Sequence, residues 1–566
     1  MIQELVEFGK RVTKDKNLAL KDEPFAIDLV INEKGEFQQF FVVDKQRIET
    51  EVITAKKGKA RFLLDKSEEV LGVGEKVENK HKLFLDKLES YRGVKSLEPV
   101  FKFYDDNNEN GLKKAISSFD EIDKKFKGEN ITFMVGTTRL LKLNEVRDAI
   151  ISRYQENEKK ASNGKVCSTC GTANSPVLDE PHGLVKMPKG QTAGCALISY
   201  NENAFESYGL KGNLNSSICR ECARYYIEGL KFLLSDGHEV PENKEKKQKA
   251  HYEYNHRINI SDTTVALFWT RQDFEDISPL VVADPPEASW VKGLFESVWS
   301  GKKDLDSTVD PNMFYSCTLS SAAARIAVRD WTAISLYEYK KNLAEWFRDI
   351  EIENKDGELA YSPLKMLINA TQRDKKVGDN SRTDLNSKAR MGALLWTAII
   401  KGSSNKLPLE VLQNVLIRIW KGDYFSAERA VLIKLIINRN TNKNMKSTLD
   451  ETNTSVAYLC GRLFAVMESM QWKAMGNVNS GVKDRFFAAA ASQPAYVFGT
   501  LLTKNVPIYQ HKIGSYLAKE LNEIAERISE IGSFPQRFST IEQGEFALGY
   551  YFQRNHKKET TDSINS

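Results

Sequence analysis

Two short cysteine pairs constrain this chain more than any other feature of its 566 residues. Cys167-Ser168-Thr169-Cys170 is one CxxC, and Cys219-Arg220-Glu221-Cys222 is a second. A CxxC forms a tight knuckle whose sulfurs converge, and two knuckles offer a tetrahedral zinc ion four thiolates at about 2.3 Å. Gly171 directly after the first pair suits the turn of such a knuckle. The stretch 171–218 is longer than in a compact zinc ribbon and must hold structure of its own. Four cysteines close the coordination shell, so the expected Zn2+ is structural rather than catalytic. The competing readings are two unrelated pairs or a redox pair. His182 could replace one ligand; the simpler expectation is a surface histidine. Cys195, Cys317 and Cys460 have apolar neighbours and read as small buried side chains.

The remaining composition narrows the class. Seven cysteines are few and odd in number, which suits a reducing compartment. Hydrophobic residues at 41% and charged residues at 28% exclude a disordered or collagenous chain. The N-terminus lacks the apolar core of a signal peptide, and no stretch approaches the ~18 apolar residues of a membrane span. The expectation is a soluble, cytoplasmic protein with no membrane partner. The net charge of +4 is too small to imply nucleic acid by itself, so any basic surface must be local.

Periodicity predicts an α+β chain: a mixed α/β N-terminal domain with an embedded zinc-knuckle module, then a C-terminal α-helical bundle. Residues 1–19 suit a short helix. Pro24–Ile31 and Glu36–Asp44 are strand-like around Gly35, the pattern of a hairpin. Ile131–Val135 reads as a strand and Asn144–Lys160 as a helix. Ala223–Leu234 is helical, Glu242–Lys249 an exposed loop, and Ile258–Trp269 one strand. Helical spacing dominates from Pro363, at 389–401, 408–420, 426–438, 456–472, 482–491, 514–531 and 541–554. The expected divisions are 1–320, with the zinc module within 161–225; a helical connecting region, 321–444; and a helical bundle, 445–566.

No convincing active site emerges. The chain lacks a GxxxxGK[ST] loop and HExxH, and Gly72-Val73-Gly74 lacks the third glycine of a dinucleotide fingerprint. Three basic stretches stand out instead. Lys56, Lys57, Lys59 and Arg61 surround Gly58 in a short loop. Lys244, Lys246, Lys247 and Lys249 precede His251, Tyr252, Tyr254, His256 and Arg257, an interleaving of cations and rings that suits single-stranded nucleic acid. Arg325 and Arg329 form a smaller pair. Each stretch has a competing reading as a solvated surface.

Several blocks carry a family resemblance: QTAGCALISYNENAFESYG at 191–209, NSSICRECARYYIEGL at 215–230, ISDTTVALFW at 260–269 and TLSSAAARIAVRDW at 318–331. ARFLLDKSEEVLGVG at 60–74, NTSVAYLCGRLFAVMESMQ at 453–471, VKDRFFAAAASQPAYVFGTLL at 482–502 and EQGEFALGYYFQR at 542–554 extend it in order along the chain. Together they resemble the large subunit of the subtype I-C CRISPR Cascade complex. The four cysteines are not universal in that family, so zinc rests on their spacing.

The resemblance implies a non-enzymatic subunit. It would recognise the protospacer-adjacent motif in duplex DNA, stabilise the displaced strand and the 5′ handle end of the guide RNA, and recruit a helicase–nuclease in trans. Its partners would be guide RNA, target double-stranded DNA, and the Cascade backbone and small subunits. Motif reading needs polar groups facing base edges. Candidates are the Lys56–Arg61 loop and Gln191, Asn201 and Asn203, with Phe205 or Tyr208 as a wedge; core packing is the simpler expectation for those two rings. The family often makes its small subunit from an internal start, and Met445 is the candidate, with Met391 the weaker choice because it falls within a helix. The alternatives are a zinc-dependent nucleic-acid enzyme and a pure assembly scaffold without DNA contacts.

Overall fold

A computed structural model describes the chain except residues 14–16, 18, 53–59, 75–76, 123, 161–164, 174–181, 243–248, 273–311, 354–357, 375–384, 477, 512–514 and 557–566. The chain is mixed α/β with a helical C-terminal region. It divides into two compact units, one of residues 1–185 with 196–232, the other of residues 186–195 with 233–566. The unit boundary therefore falls near residue 232, whereas the composition changes near residue 320.

The first unit is built on a sheet of β1 (Leu20–Ile31), β2 (Phe37–Glu51), β3 (Leu64–Asp65), β4 (Ile131–Val135) and β5 (Thr138–Arg139). Its order is β2-β1-β4-β3, with β5 on β4. β1 and β2 form the hairpin expected around Gly35, whose φ of +79° suits glycine. β1 also runs parallel to β4, pairing Ile27 with Ile131 and Leu29 with Phe133. Phe25, Ile27, Leu29 and Ile31 alternate along β1 and join Phe62, Phe84, Phe103 and Phe133 in one core. Asp28, between them in the strand and fully buried, accepts a fork of two hydrogen bonds from Arg139 at 2.9 and 2.8 Å.

Helices α1 (Ile2–Val12), α2 (Ser67–Val70), α3 (Val77–Glu89), α4 (Glu98–Phe103), α5 (Leu112–Phe119), α6 (Asn144–Lys160) and α7 (Arg220–Ser235) complete the N-terminal half. α1 and α7 touch backbone to backbone. A Cβ on Gly229 would meet the Leu5 carbonyl oxygen at 2.8 Å, so a side chain there would force the helices apart.

The second unit opens with a two-stranded ribbon, β6 (Gly237–Val240) and β7 (His251–Tyr254). A four-stranded antiparallel sheet follows, of β8 (Arg257–Asn259), β9 (Thr264–Thr270), β10 (Met313–Ala322) and β11 (Arg325–Ser335), in the order β11-β10-β9-β8. The single strand expected over 258–269 is thus two, because Ser261–Thr263 turns the chain. Likewise, residues 325–335 are a strand, not the start of a helical region. A small pair, β12 (Ile352–Glu353) and β13 (Leu359–Ala360), also interrupts that region.

The remaining helices are α8 (Leu336–Ile350), α9 (Leu364–Ala370), α10 (Leu385–Lys401), α11 (Leu409–Trp420), α12 (Ala427–Asn440), α13 (Val456–Met475), α14 (Val482–Ser492), α15 (Pro494–Thr500), α16 (Val506–Gln510), α17 (Ser515–Ile531) and α18 (Thr540–Asn555). One core runs from the sheet into the helices: Phe314 stacks on Tyr339 at 4.0 Å, and Trp396 Nε1 donates to Ser316 Oγ at 2.9 Å. α12 is buried nearly all round, yet it carries Arg429, Lys434 and Arg439. Each cation serves carbonyls left over at a helix end, where the backbone dipole favours positive charge. Lys434 donates to the carbonyls of Arg348 (3.1 Å) and Glu351 (2.9 Å) at the end of α8. Arg439 donates to Gly402 after α10 at 3.0 Å and to Asp349 at 2.8 Å. Arg429 donates to the carbonyls of Ala370 and Gln372 after α9 at 3.1 and 3.0 Å.

Met445 lies in the non-helical link between α12 and α13, as its polar surroundings suggested. The link is packed rather than loose. The Met445 side chain is buried, its N–H donates to Asn438 Oδ1 at 2.8 Å, and Lys443 pairs with the buried Glu545 of α18.

Candidate metal centre and nucleic-acid interface

Cys167, Cys170, Cys219 and Cys222 come together, with all four sulfurs within 4.8 Å of one another. A zinc tetrahedron with Zn–S near 2.3 Å places its sulfurs about 3.8 Å apart, and Cys170 Sγ lies 3.9 Å from Cys219 Sγ. Both knuckles have turns that aim backbone N–H groups at sulfur. Thr169 N and Cys219 N donate to Cys167 Sγ at 3.4 and 3.3 Å, and Cys222 N donates to Cys219 Sγ at 3.4 Å. Gly171 adopts φ +72°, and its N–H closes the first turn on the Cys167 carbonyl at 2.9 Å. The second pair opens α7: Cys219 directly precedes the helix and Cys222 lies in its first turn. Ser168 N reaches the Ser217 carbonyl at 2.6 Å and ties one knuckle to the other. The thiols share protons unevenly. A hydrogen bond from Cys222 helps push Cys219 down to about 7, whereas Cys222, hydrogen-bonded to Cys219 and desolvated, is pushed up. A divalent cation is what would let all four sulfurs be thiolates together. This donor set and spacing can bind a metal ion.

His182 is not on the surface and is not among the clustered ligands. It is 2% exposed, and its Nδ1 lies 2.5 Å from the Tyr226 hydroxyl on α7. Burial pushes it down to about 4. Cys195, Cys317 and Cys460 are buried, as expected.

Between the knuckles the chain forms a stapled loop. Asn215 Oδ1 accepts from Ser207 N at 2.9 Å, and its Nδ2 donates to the carbonyls of Leu210 and Gly212, both at 2.9 Å. Glu206 Oε1 accepts from Gly212 N at 2.8 Å. Tyr208 and Gly209 at the tip both adopt positive φ, +54° and +71°. The tyrosine is 98% exposed and Phe205 is also exposed. Core packing, the simpler expectation for these rings, is therefore overturned. The polar groups of Ser207–Asn215 satisfy one another, and a left-handed turn points Tyr208 outward. Asn201 and Asn203 are also exposed. Gln191, in the second unit, is exposed in a turn closed by Gly194 N on its carbonyl at 2.9 Å.

The basic stretches fare unevenly. Lys56, Lys57, Lys59, Lys244, Lys246 and Lys247 lie outside the described residues. Arg61 faces acids, with Asp65 at 3.4 Å and Glu23 at 3.9 Å. Lys249 is exposed at the foot of β7. The aromatic residues beyond it are turned to one another. Tyr252 and Tyr254 lie 4.9 Å apart, and Arg257 sits 3.9 Å over Tyr254. Arg325 and Arg329 stand on β11. A bulge between the Thr318–Asp330 and Leu319–Val328 pairs leaves Arg329 out of register, and its Nε donates to Ser320 Oγ at 2.7 Å.

Among the described residues, no helix is long and apolar enough to cross a membrane. Comparison with curated proteins gives no match. The family model for CRISPR-associated protein (Cas_Csd1) matches residues 5–557, nearly the whole chain. The eight sequence blocks and this match agree: the chain belongs to the Cas_Csd1 family of CRISPR-associated proteins, as a type I-C Cascade large subunit.

Proposed function

We propose that this subunit recognises the protospacer-adjacent motif of a target duplex without catalysing a reaction. In such complexes base pairing with guide RNA reads the sequence, and protein reads a short duplex motif. The observation that carries the reading is Tyr208, held outward on a loop that is already ordered by its own hydrogen bonds. A ring preset in that way can wedge a base step without first paying the entropy of ordering. Asn201, Asn203 and Gln191 supply donors and acceptors for base edges. Lys56, Lys57, Lys59, Arg61, Lys244, Lys246, Lys247, Lys249, Arg325 and Arg329 are assigned to phosphates; the acid partners of Arg61 make it the weakest of them. Displaced-strand binding, contact with the guide 5′ handle and helicase–nuclease recruitment complete the role.

Zn2+ in the four-cysteine site would act structurally. Cys167, Cys170, Cys219 and Cys222 would hold it, and it would supply the charge that keeps both knuckles closed. A second product starting at Met445 would keep the α13–α18 pair but bare the part of α18 that α11 and α12 cover.

The test is duplex binding by guide-loaded complexes. Tyr208→Ala is expected to weaken binding to motif-bearing duplex at least about five-fold, on the scale of one lost aromatic contact. It should leave pairing to an already opened target unchanged. Equal binding of duplex by both complexes refutes the wedge.

A further inference from the structure

The four clustered cysteines are not equivalent. Cys167, Cys219 and Cys222 are buried, at 1%, 3% and 3% exposure, whereas Cys170 is exposed. The backbone treats their sulfurs unequally as well. Cys167 Sγ accepts from the N–H groups of Thr169 and Cys219, and Cys219 Sγ accepts from that of Cys222. Among the described residues, no backbone N–H reaches Cys170 Sγ, which lies 3.3 Å from the Thr172 hydroxyl oxygen and 3.9 Å from Cys219 Sγ. A hydrogen bond to a thiolate stabilises its charge and lowers its nucleophilicity, and burial keeps solutes away from it. Cys170 has neither protection.

A small dissolved oxidant therefore meets Cys170 first, since oxidation follows thiolate character and exposure. The sulfur placed to follow is Cys219. It already touches Cys170 across the two knuckles, and bonding requires each sulfur to move only about 1 Å. Cys167, the alternative within the same knuckle, is held by two N–H groups and by its own tight turn, which Gly171 N closes on the Cys167 carbonyl at 2.9 Å.

We propose that Cys170 and Cys219 form a peroxide-sensitive clasp, in which oxidation joins the two knuckles by a disulfide and discharges the metal. The Cys170 thiolate attacks one oxygen of hydrogen peroxide, the O–O bond breaks, and hydroxide leaves a sulfenic acid behind. The Cys219 thiolate attacks that sulfur, the S–O bond breaks, and a second hydroxide leaves. Two electrons pass from the sulfurs to the peroxide, and two of the four ligands are consumed. The disulfide ties residues 170 and 219, the same ends that the metal would tie, so the stretch 171–218 stays closed at its base. A disulfide within either knuckle would leave it open. The clasp rests on the structural-metal reading above only for the ion that is discharged.

Treating the zinc-loaded full chain with equimolar hydrogen peroxide tests it, with released zinc read by a metallochromic dye and disulfides mapped by non-reducing peptide mass spectrometry. Wild type should release its zinc and yield a peptide pair linked through Cys170 and Cys219; a dithiol reductant with added zinc should reverse both. Cys170→His keeps a fourth metal ligand but removes the exposed sulfur, and should release zinc at least about ten-fold more slowly. Equal release rates for wild type and Cys170→His overturn the clasp, as does a disulfide confined to Cys167–Cys170 or to Cys219–Cys222. The disulfide map is also read on chain stripped by a chelator, so the two readings fail separately. A Cys170–Cys219 link in a chain that never takes up zinc sinks the metal reading alone, and zinc uptake with a link inside one knuckle sinks the clasp alone.

Discussion

The seam between α13 and α18 allows a stability prediction worked from geometry. Both helices bring a glycine to the crossing. A Cβ on Gly549 would lie 2.9 Å from the Tyr458 carbonyl carbon and nearer still to its oxygen; one on Gly461 would lie 2.7 Å from Tyr550 N. Backbone cannot yield as a side chain can, so Gly549→Ala must separate the helices by about 1 Å. A gap of that size forfeits roughly a quarter to a half of each dispersion contact it opens. The residues losing contacts are Leu463, Phe464, Phe546 and Tyr550, all buried. Overpacking of this kind costs ~1–3 kcal/mol, against a gain of ~1 kcal/mol from replacing glycine inside a helix. Gly549→Ala should therefore destabilise by up to about 2 kcal/mol. Gly499 in α15 is the matched control: a Cβ there meets nothing within 4 Å, so Gly499→Ala should stabilise by up to ~1 kcal/mol. Urea unfolding of the two variants should move the midpoint in opposite directions. Shifts of the same sign and size would refute the close-contact argument.

Two further outcomes follow from the first unit. Burial holds His182 near 4, while the unfolded chain takes up that proton near ~6.5, so the unfolded state binds more protons between those values. Stability must fall as pH drops from ~6.5 towards 4, by about 3 kcal/mol from this group. His182→Gln keeps a partner for Tyr226 and should lose that slope; identical pH–stability profiles would contradict the assignment. Elemental analysis of the purified chain should find about one zinc per molecule, and Cys219→Ser should lower metal affinity at least about ten-fold. Full retention of zinc by Cys219→Ser would place the ion elsewhere.

Sequence made the helices legible because their apolar spacing is long and regular; α6 and β4 match their expected spans residue for residue. It also placed the four cysteines, since a CxxC is a local geometric device. The β10–β11 hairpin was not legible. Its turn is Ala323-Ala324, without the glycine or asparagine usual in a two-residue turn, and Ala323 takes φ +51°. Tyr208 was misjudged because hydrophobicity argues for burial. The staple that overrides it depends on Asn215, whose four polar contacts no spacing rule reveals.

The most direct measurement compares guide-loaded complexes assembled with and without this chain, on duplexes that differ only in the motif beside the target. The account predicts that motif discrimination, seen as a difference in Kd between the two duplexes, appears only when the chain is present. Discrimination that survives in the complex lacking it would contradict the central claim.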